Sequence, residues 1–295
     1  MKYLLDIARP SIAVMTALGD VPAHLEFFNN VESVAKEKGR LIEAAPAIGF
    51  VILNADDEMV YEMKDRARAH VVTFGFSKEA EVRIINLENL STEDRPFGVT
   101  FKLGYGGGMV PVRFVDTFGK PQAYAAAAAA AIGIIFGSNL VKISEALNNN
   151  YVPAKHRMNL IRAQSGSFIL DDSYNASPAS MAAAIDTVKS LTSKRKIAVL
   201  GDMLELGELG ISAHENIGRL AAEVFDFLFT VGTRGKIIAE AAIKEGKILR
   251  KNIKSFETIE EVTDELKGLL KAGDLVLIKA SRGVGLDRVV DALKI

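Results

Sequence analysis

Short apolar runs broken by polar, turn-forming residues set the rhythm of the first half of the chain. Ile12-Ala13-Val14-Met15 and Phe50-Val51-Ile52-Leu53 each end in such residues, as buried parallel strands do. Between them Asn30 is placed to cap a helix whose apolar positions are Val31, Val34, Leu41, Ile42 and Ala45. Val71 to Phe74, Val82 to Ile85 and Val99 to Leu103 continue the strand series. Gly106-Gly107-Gly108 then separates that last run from Val110 to Val115. A glycine cluster between two strand-like runs, with no helix after it, predicts a hairpin turn rather than a phosphate loop. The alanine-rich segment from Ala123 to Phe136 predicts a helix that packs closely on a neighbour.

From about residue 155 the pattern becomes a regular strand–loop–helix alternation. Ser167 to Asp172 leads to a helix near Pro178, with Met181, Ile185, Val188 and Leu191 on one face. Lys196 to Leu200 leads to a helix near His214, and Phe227 to Val231 to one near Lys236. Leu275 to Lys279 leads to a closing helix carrying Leu286, Val289, Val290 and Leu293. Such alternation predicts α/β architecture, a parallel sheet with helices on its faces. The polar stretch Asn148 to Pro153 is the natural boundary, giving domains over residues 1–153 and 154–295.

Composition narrows the classes. The 295 residues are 49% hydrophobic and 25% charged, as in a globular protein large enough for two cores. Lys and Arg (36) nearly balance Asp and Glu (37), so no basic face points to nucleic acid. Cysteine is absent, which excludes disulfides, thiolate catalysis and cysteine metal sites. The N-terminus is interrupted by charge too early for a signal peptide, and the alanine-rich run is too short to span a bilayer. A cytoplasmic location without membrane insertion is the expectation.

Polar residues at strand ends are the candidates for chemistry. Asp171 to Pro178 is the most informative stretch: two acids close a buried strand, and a polar loop opens a helix with Ser177 as cap and Pro178 in its first turn. Carboxylates, an amide and helix N–H groups around one crevice suit a nucleotide or an amino acid. Gly201 to Glu208 and Lys279 to Gly283 end other strands and are predicted to face the same rim. Asn54-Ala55-Asp56-Asp57 also ends a strand; it suits sugar hydroxyls or a base edge, and equally a turn with a helix cap. Lys38 falls on the apolar stripe of its helix. Its stem can lie on the core with the ammonium in water, or its amine can be desolvated and reactive. His24, just after a strand and loop, is a structural residue or a ligand.

Read in order, these segments resemble the Mur ligase family from Ala8-Arg9-Pro10 to the last helix. Ala23-His24-Leu25-Glu26, followed by Ala35 to Gly39, is similar to the segment with the family's metal-binding histidine and carbamylated lysine. Leu53 to Asp57 resembles its nucleotide motif, and His156-Arg157-Met158 the arginine element opening its C-terminal domain. Asp171 to Pro178 with Ser180-Met181, Leu200 to Gly207, and Lys279 to Gly283 resemble the branch that adds D-alanyl-D-alanine. The resemblance implies a partial central ATPase domain followed by a Rossmann-like ligase domain. It implies ATP and Mg2+ as cofactors, and UDP-MurNAc-tripeptide and D-Ala-D-Ala as substrates. Under it, His24 and Lys38 (as carbamate) would be catalytic and hold the metal. Asn54, Asp57, Arg157, Asp172 and Asn175 would bind ATP, and Tyr174, Lys279 and Ser281 would bind substrate.

Two departures qualify this. The family's phosphate loop, G-x-x-x-x-G-K-[ST], occurs nowhere in the chain. The resemblance therefore implies a fragment or one chain of a split ligase, beginning after the phosphate loop and the UDP-binding domain, and inactive alone. A separate chain bearing the phosphate loop is then an expected partner. The alternative is a non-catalytic member that binds nucleotide or precursor. Before the alanine-rich helix, Pro121, Gln122 and Ala126 stand where the family shows its adenine-side polar residues.

Overall fold

The computed structural model describes residues 1–22, 25–93 and 95–295. His24 thus lies outside the described residues. The chain forms two compact units. One comprises Met1–Glu88, Thr100–Phe114 and Lys120–Tyr151; the other comprises Asn89–Val99, Val115–Gly119 and Val152–Ile295.

Among the described residues, the α-helices and strands up to residue 150 are α1 (Lys2–Ile7), β1 (Ile12–Met15), α2 (Val31–Ala44), β2 (Phe50–Asn54), α3 (Glu58–Tyr61), β3 (His70–Gly75), β4 (Val82–Ser91), β5 (Pro96–Tyr105), β6 (Gly108–Val115), α4 (Lys120–Ile135) and α5 (Leu140–Asn150). Strands β1 to β6 form a six-stranded sheet in sequence order. Strands β1 to β4 are mutually parallel. Val51, Ile52 and Leu53 of β2 are fully buried, as the unbroken apolar run requires. Asn30 caps α2, its side chain accepting from the Ser33 N–H at 2.9 Å. Ala123, Ala127, Ala130 and Ala131 of α4 are fully buried, and their small size lets the helix approach β2 and β3 closely.

The glycine cluster is a hairpin connection. Gly106 and Gly107 have φ of +57° and +83°, the two left-handed positions of a type I′ turn. Helix α5 was not predicted from the pattern, because it buries only Ile143 and Ser144 and so carries a thin apolar stripe. Strand β4 outruns its predicted end at Ile85, since its later residues are half-exposed and lose the apolar signal while pairing continues.

The other unit contains β7 (Asn159–Ala163), β8 (Ser167–Asp171), α6 (Pro178–Ser190), β9 (Arg195–Gly201), α7 (Gly210–Ala222), β10 (Phe227–Val231), α8 (Gly235–Glu245), β11 (Ile253–Phe256), α9 (Ile259–Leu269), β12 (Asp274–Lys279) and α10 (Asp287–Leu293). Its sheet has the order β11-β10-β9-β12-β8-β7. The five strands from β11 at one edge to β8 are parallel, and β7 is antiparallel to β8 at the other edge. Chain order reverses around β12, which enters between β8 and β9. In open α/β sheets the crevice outside the carboxyl ends of strands at such a reversal is where ligands bind. At the opposite end of the sheet, Arg195 makes a bidentate contact with the buried Asp274 carboxylate at 2.7 and 2.5 Å. That pair ties the amino ends of β9 and β12 and lies away from the crevice. Helices α7 and α8 touch at Gly218, where an added Cβ would meet the Ile238 carbonyl oxygen at 2.3 Å. Among the described residues, no helix is long and apolar enough to cross a membrane.

Candidate active site

The carboxyl ends of β8, β12 and β9 bring the polar strand ends together. Ile278 of β12 is in register with Asp171 of β8, so the loops after these strands lie side by side. The Lys279 amine meets the Asp172 carboxylate at 2.6 Å and donates to the Asn175 carbonyl at 2.8 Å. Lys279 is 1% exposed and Asp172 7% exposed. Burial pushes the Asp172 carboxyl above its ordinary range, opposed by the Lys279 charge and then by Arg157. Burial likewise pushes the Lys279 amine down, opposed by Asp172. Each charge is therefore kept by the other, inside a pocket that disfavours both. The Met158 N–H donates to the second Asp172 oxygen at 3.2 Å.

Asp171 organises the loop beneath. Its carboxylate accepts from the Ser173 hydroxyl and N–H at 2.6 and 3.1 Å, and stands 2.8 Å from His156 Nδ1. Ser177 caps α6, as the sequence predicts, and the structure adds a full capping box with Ser180. The Asn175 side-chain oxygen accepts from the Ala176 N–H at 2.9 Å. Ser281 links three segments: its N–H donates to the Asp202 carbonyl, and its hydroxyl accepts from the Leu204 N–H and faces the Ala176 carbonyl. A hollow bounded in part by Asp202, Leu204, Thr233, Gly283 and Arg288 opens along the same rim.

Arg157, Asp172, Tyr174, Asn175, Lys279 and Ser281 are thus brought to one crevice. Tyr174 carries Arg157 at 4.2 Å from its ring centroid and Arg282 at 5.4 Å. Arg282 was not singled out from the sequence. Only its place in the strand-end segment Lys279 to Gly283 could have signalled it.

Asn54 and Asp57 belong to the other unit. Asp57 caps α3 through Val60 N–H at 3.1 Å, and its other oxygen accepts from the Leu18 and Gly19 amides at 2.6 and 2.9 Å. Asn54 donates to the Thr16 carbonyl at 2.7 Å and accepts from Asp56 N–H at 2.9 Å. The pair fixes the loop after β1, which is the capping role left open by the sequence. Gln122 is buried and accepts from the Tyr151 hydroxyl at 2.7 Å. Lys38 is half-buried on α2. Among the described residues, no three carboxylate or imidazole groups converge to hold a metal ion.

His214, used in the sequence only to mark a helix, is fully buried. Its Nε2 accepts from the Met203 N–H at 2.9 Å, and Nδ1 lies 2.5 Å from the Gly210 carbonyl. The ring is therefore neutral with its proton on Nδ1, and burial lowers its pKa below the ordinary value. Because the folded value is depressed, this contribution to stability is whole above about pH 6.5. It shrinks as pH falls from there through the folded value, then levels off. Imidazole nitrogen shifts should show the Nδ1–H form persisting through pH 6.5. A midpoint at the free-histidine value would contradict the assignment.

Comparison with known proteins supplies the context. Residues 2–133 match the Mur ligase middle domain, and residues 156–282 match the Mur ligase glutamate ligase domain. The chain is 34% identical to a UDP-N-acetylmuramoyl-tripeptide–D-alanyl-D-alanine ligase of Mycobacterium tuberculosis, over 98% of this chain and 59% of that protein. It is 30% identical to the protein of that name in Bacillus subtilis, over 99% of this chain and 61% of that protein. The MurF ligase of Thermotoga maritima, solved in complex with ADP, superposes with a TM-score of 0.83 at 24% identity, covering 98% of this chain and 63% of that one. The chain spans about three-fifths of the length of these curated relatives.

Proposed function

This chain belongs to the Mur ligase family, and on that premise we propose that it takes part in ATP-dependent addition of D-Ala-D-Ala to UDP-MurNAc-tripeptide. The observation that carries the reading is the buried Asp172–Lys279 pair at the β8–β12 rim, surrounded by Arg157, Tyr174, Asn175 and Ser281.

The chemistry needs two steps. A carboxylate oxygen of the tripeptide attacks the γ-phosphorus of ATP; a P–O bond forms and ADP departs with the broken bond's electrons. The neutral amine of the dipeptide then attacks the acyl carbon, a C–N bond forms, phosphate leaves, and the amine's extra proton passes to solvent. Both steps gather charge on phosphoryl oxygens, so positioning and electrostatics carry most of the work. Arg157 is the group we assign to the nucleotide's phosphates, with Asp172 and Asn175 shaping the nucleotide side of the crevice. Asp172 has a second task, since its carboxylate keeps Lys279 charged against burial. Lys279 and Ser281 then fix the loops against which the dipeptide and its carbonyl rest, with the hollow beyond Leu204 as its space.

Mg2+, when bound, would neutralise charge on the transferring phosphoryl group. Of this chain's residues, Lys38 as carbamate and His24 are the proposed ligands. Asn54 and Asp57 support the nucleotide region by fixing the loop after β1. Carbamylation has its own test: carbon-13 NMR with labelled bicarbonate should give one carbamate signal that Lys38→Arg removes. A signal unaffected by that change, or none at saturating bicarbonate, overturns it.

We assign the reaction to the cytoplasm, where a nucleotide-linked precursor and ATP are both available. Since these 295 residues hold no G-x-x-x-x-G-K-[ST] string, turnover requires that loop from a further segment or a separate chain. The test is product: the tripeptide precursor, D-Ala-D-Ala and ATP, with the loop supplied, should yield the pentapeptide precursor by mass. Tight precursor binding without product would favour a non-catalytic binding protein instead.

A further inference from the structure

His214 is fully buried, yet its ring holds the backbone of a segment that walls the crevice. The chain leaves β9 at Gly201 and runs through Asp202, Met203 and Leu204 to the 3-10 turn Gly207–Leu209 and then α7, which carries His214. Four backbone groups of that segment are held in turn. The Asp202 carbonyl accepts from the Ser281 N–H at 2.9 Å, and the Leu204 N–H donates to the Ser281 hydroxyl at 2.9 Å. Between them, the Met203 N–H donates to His214 Nε2 at 2.9 Å, and the Met203 carbonyl accepts from the Arg234 guanidinium at 3.4 Å. Ser281 therefore grips the segment from β12, and His214 grips it from α7.

The segment needs such holding. Glu205, which follows it, has φ of +63°, in the left-handed region that side chains seldom adopt. Backbone of this kind persists only where the surroundings impose it. Met203 is fully buried, so its N–H would bear its desolvation cost in full if the imidazole were lost. A neutral ring fits this place in one tautomer. The Gly210 carbonyl takes the Nδ1 proton, which leaves the Nε2 lone pair for Met203.

What the segment presents is a surface. Asp202 and Leu204 both line the hollow along the rim. Leu204 is 37% exposed, an apolar side chain left open on a pinned backbone. It lies over Gly283, where an added Cβ would meet Leu204 Cδ1 at 3.0 Å. A shift of the Met203 amide would carry Leu204 with it and change the shape of that wall.

We infer that His214 is a positioning residue: its neutral imidazole fixes the Asp202–Leu204 wall against which the incoming dipeptide rests. The inference rests on the ligase reading for the identity of that ligand; the hold on Met203 is a property of the carboxy-terminal unit itself. His214 touches no reacting atom and acts through Met203 and Leu204.

The test has two arms. In the first, this chain is labelled with nitrogen-15, and a coupling across the hydrogen bond is sought between the Met203 amide nitrogen and His214 Nε2. The coupling should be present in the parent, which needs no variant to fold. Amide hydrogen exchange should then show Met203 and Leu204 losing protection on the order of tenfold in His214→Leu, while Leu277 in the core of β12 keeps its own. His214→Gln places an amide oxygen near the position of Nε2 and should restore most of that protection.

The second arm is ligation with the phosphate loop supplied. His214→Leu should raise KM for D-Ala-D-Ala on the order of tenfold, with kcat and KM for ATP within about twofold of the parent, and His214→Gln should recover most of the rise. Absence of the coupling overturns the inference. So does an unchanged KM for D-Ala-D-Ala in His214→Leu, or a glutamine variant no better than the leucine one. If the first arm succeeds but the parent never forms a peptide bond, the ligase reading fails and the hold of His214 on its segment stands. If the parent ligates but the coupling is missing, the ligase reading stands and the positioning role is rejected.

Discussion

Replacing Lys279 with methionine is expected to destabilise the carboxy-terminal unit by about 3–5 kcal/mol, the usual cost of leaving one member of a buried ion pair alone. The cause is Asp172: it is 7% exposed, and without the amine at 2.6 Å its charge keeps only the Met158 amide and the field of Arg157. Asp172→Asn should also destabilise, by leaving an ammonium at a 1% exposed position. The double change Asp172→Leu with Lys279→Met removes both charges and should be less damaging than Lys279→Met alone. A pH signature distinguishes this from lost packing. In Lys279→Met the Asp172 pKa stays raised by burial without its main opponent, so folding favours the protonated acid. Stability is then highest below the unfolded carboxyl pKa and declines as pH rises through the folded one. Urea unfolding followed by circular dichroism reads all of this. Single variants within about 1 kcal/mol of the parent would show that the pair is not buried as described.

The second large effect is on catalysis. These 295 residues alone should release phosphate no faster than background, even with both substrates and ATP present. The phosphate loop supplies backbone N–H groups, a lysine and a metal-binding hydroxyl to the transferring group. Removing one preorganised donor from an enzyme site typically costs roughly a hundredfold or more, and the whole loop offers several. Arg157 and Arg282 do not substitute for it. They sit beside Tyr174 at the rim of the β8–β12 crevice, and side-chain cations without the opposing cradle leave the β- and γ-phosphates unaligned.

Much of this architecture was legible in the pattern of apolar positions. The parallel strands β2, β8, β9, β10 and β12 are built around short, mostly apolar runs because both faces of the sheet are covered, and such runs are hard to misread. The cap at Ser177 and the turn at Gly106-Gly107 follow from residue chemistry that few other conformations want. What escaped is equally physical. Strand β11, Ile253–Phe256, has four residues, only one of them buried, so an edge strand leaves almost no signal. Helix α9 follows a capping box of Thr258 and Glu261, a signal carried by two polar residues and not by the apolar pattern. At the site, the rim shared by Asp172 and Lys279 was legible, because both end strands. Their direct pairing depends on β12 entering beside β8, a fact of topology that no local pattern encodes. Asp57 shows the converse: an acid after a strand looks like a ligand group, yet its oxygens hold the Leu18, Gly19 and Val60 amides. His214 gave no sign, since a histidine inside a helix is a common residue in a common place, and Arg282 was marked only by its position in the strand-end segment Lys279 to Gly283.

The most direct measurement is phosphate release from ATP by these 295 residues combined with a segment bearing the phosphate loop, with each substrate omitted in turn. The expected result is release that requires both UDP-MurNAc-tripeptide and D-Ala-D-Ala, matches pentapeptide product one for one, and falls to background in Lys279→Met at a pH where that variant remains folded. Release that proceeds equally well without D-Ala-D-Ala, or that persists undiminished in Lys279→Met, would contradict the assignment of the β8–β12 crevice to dipeptide ligation.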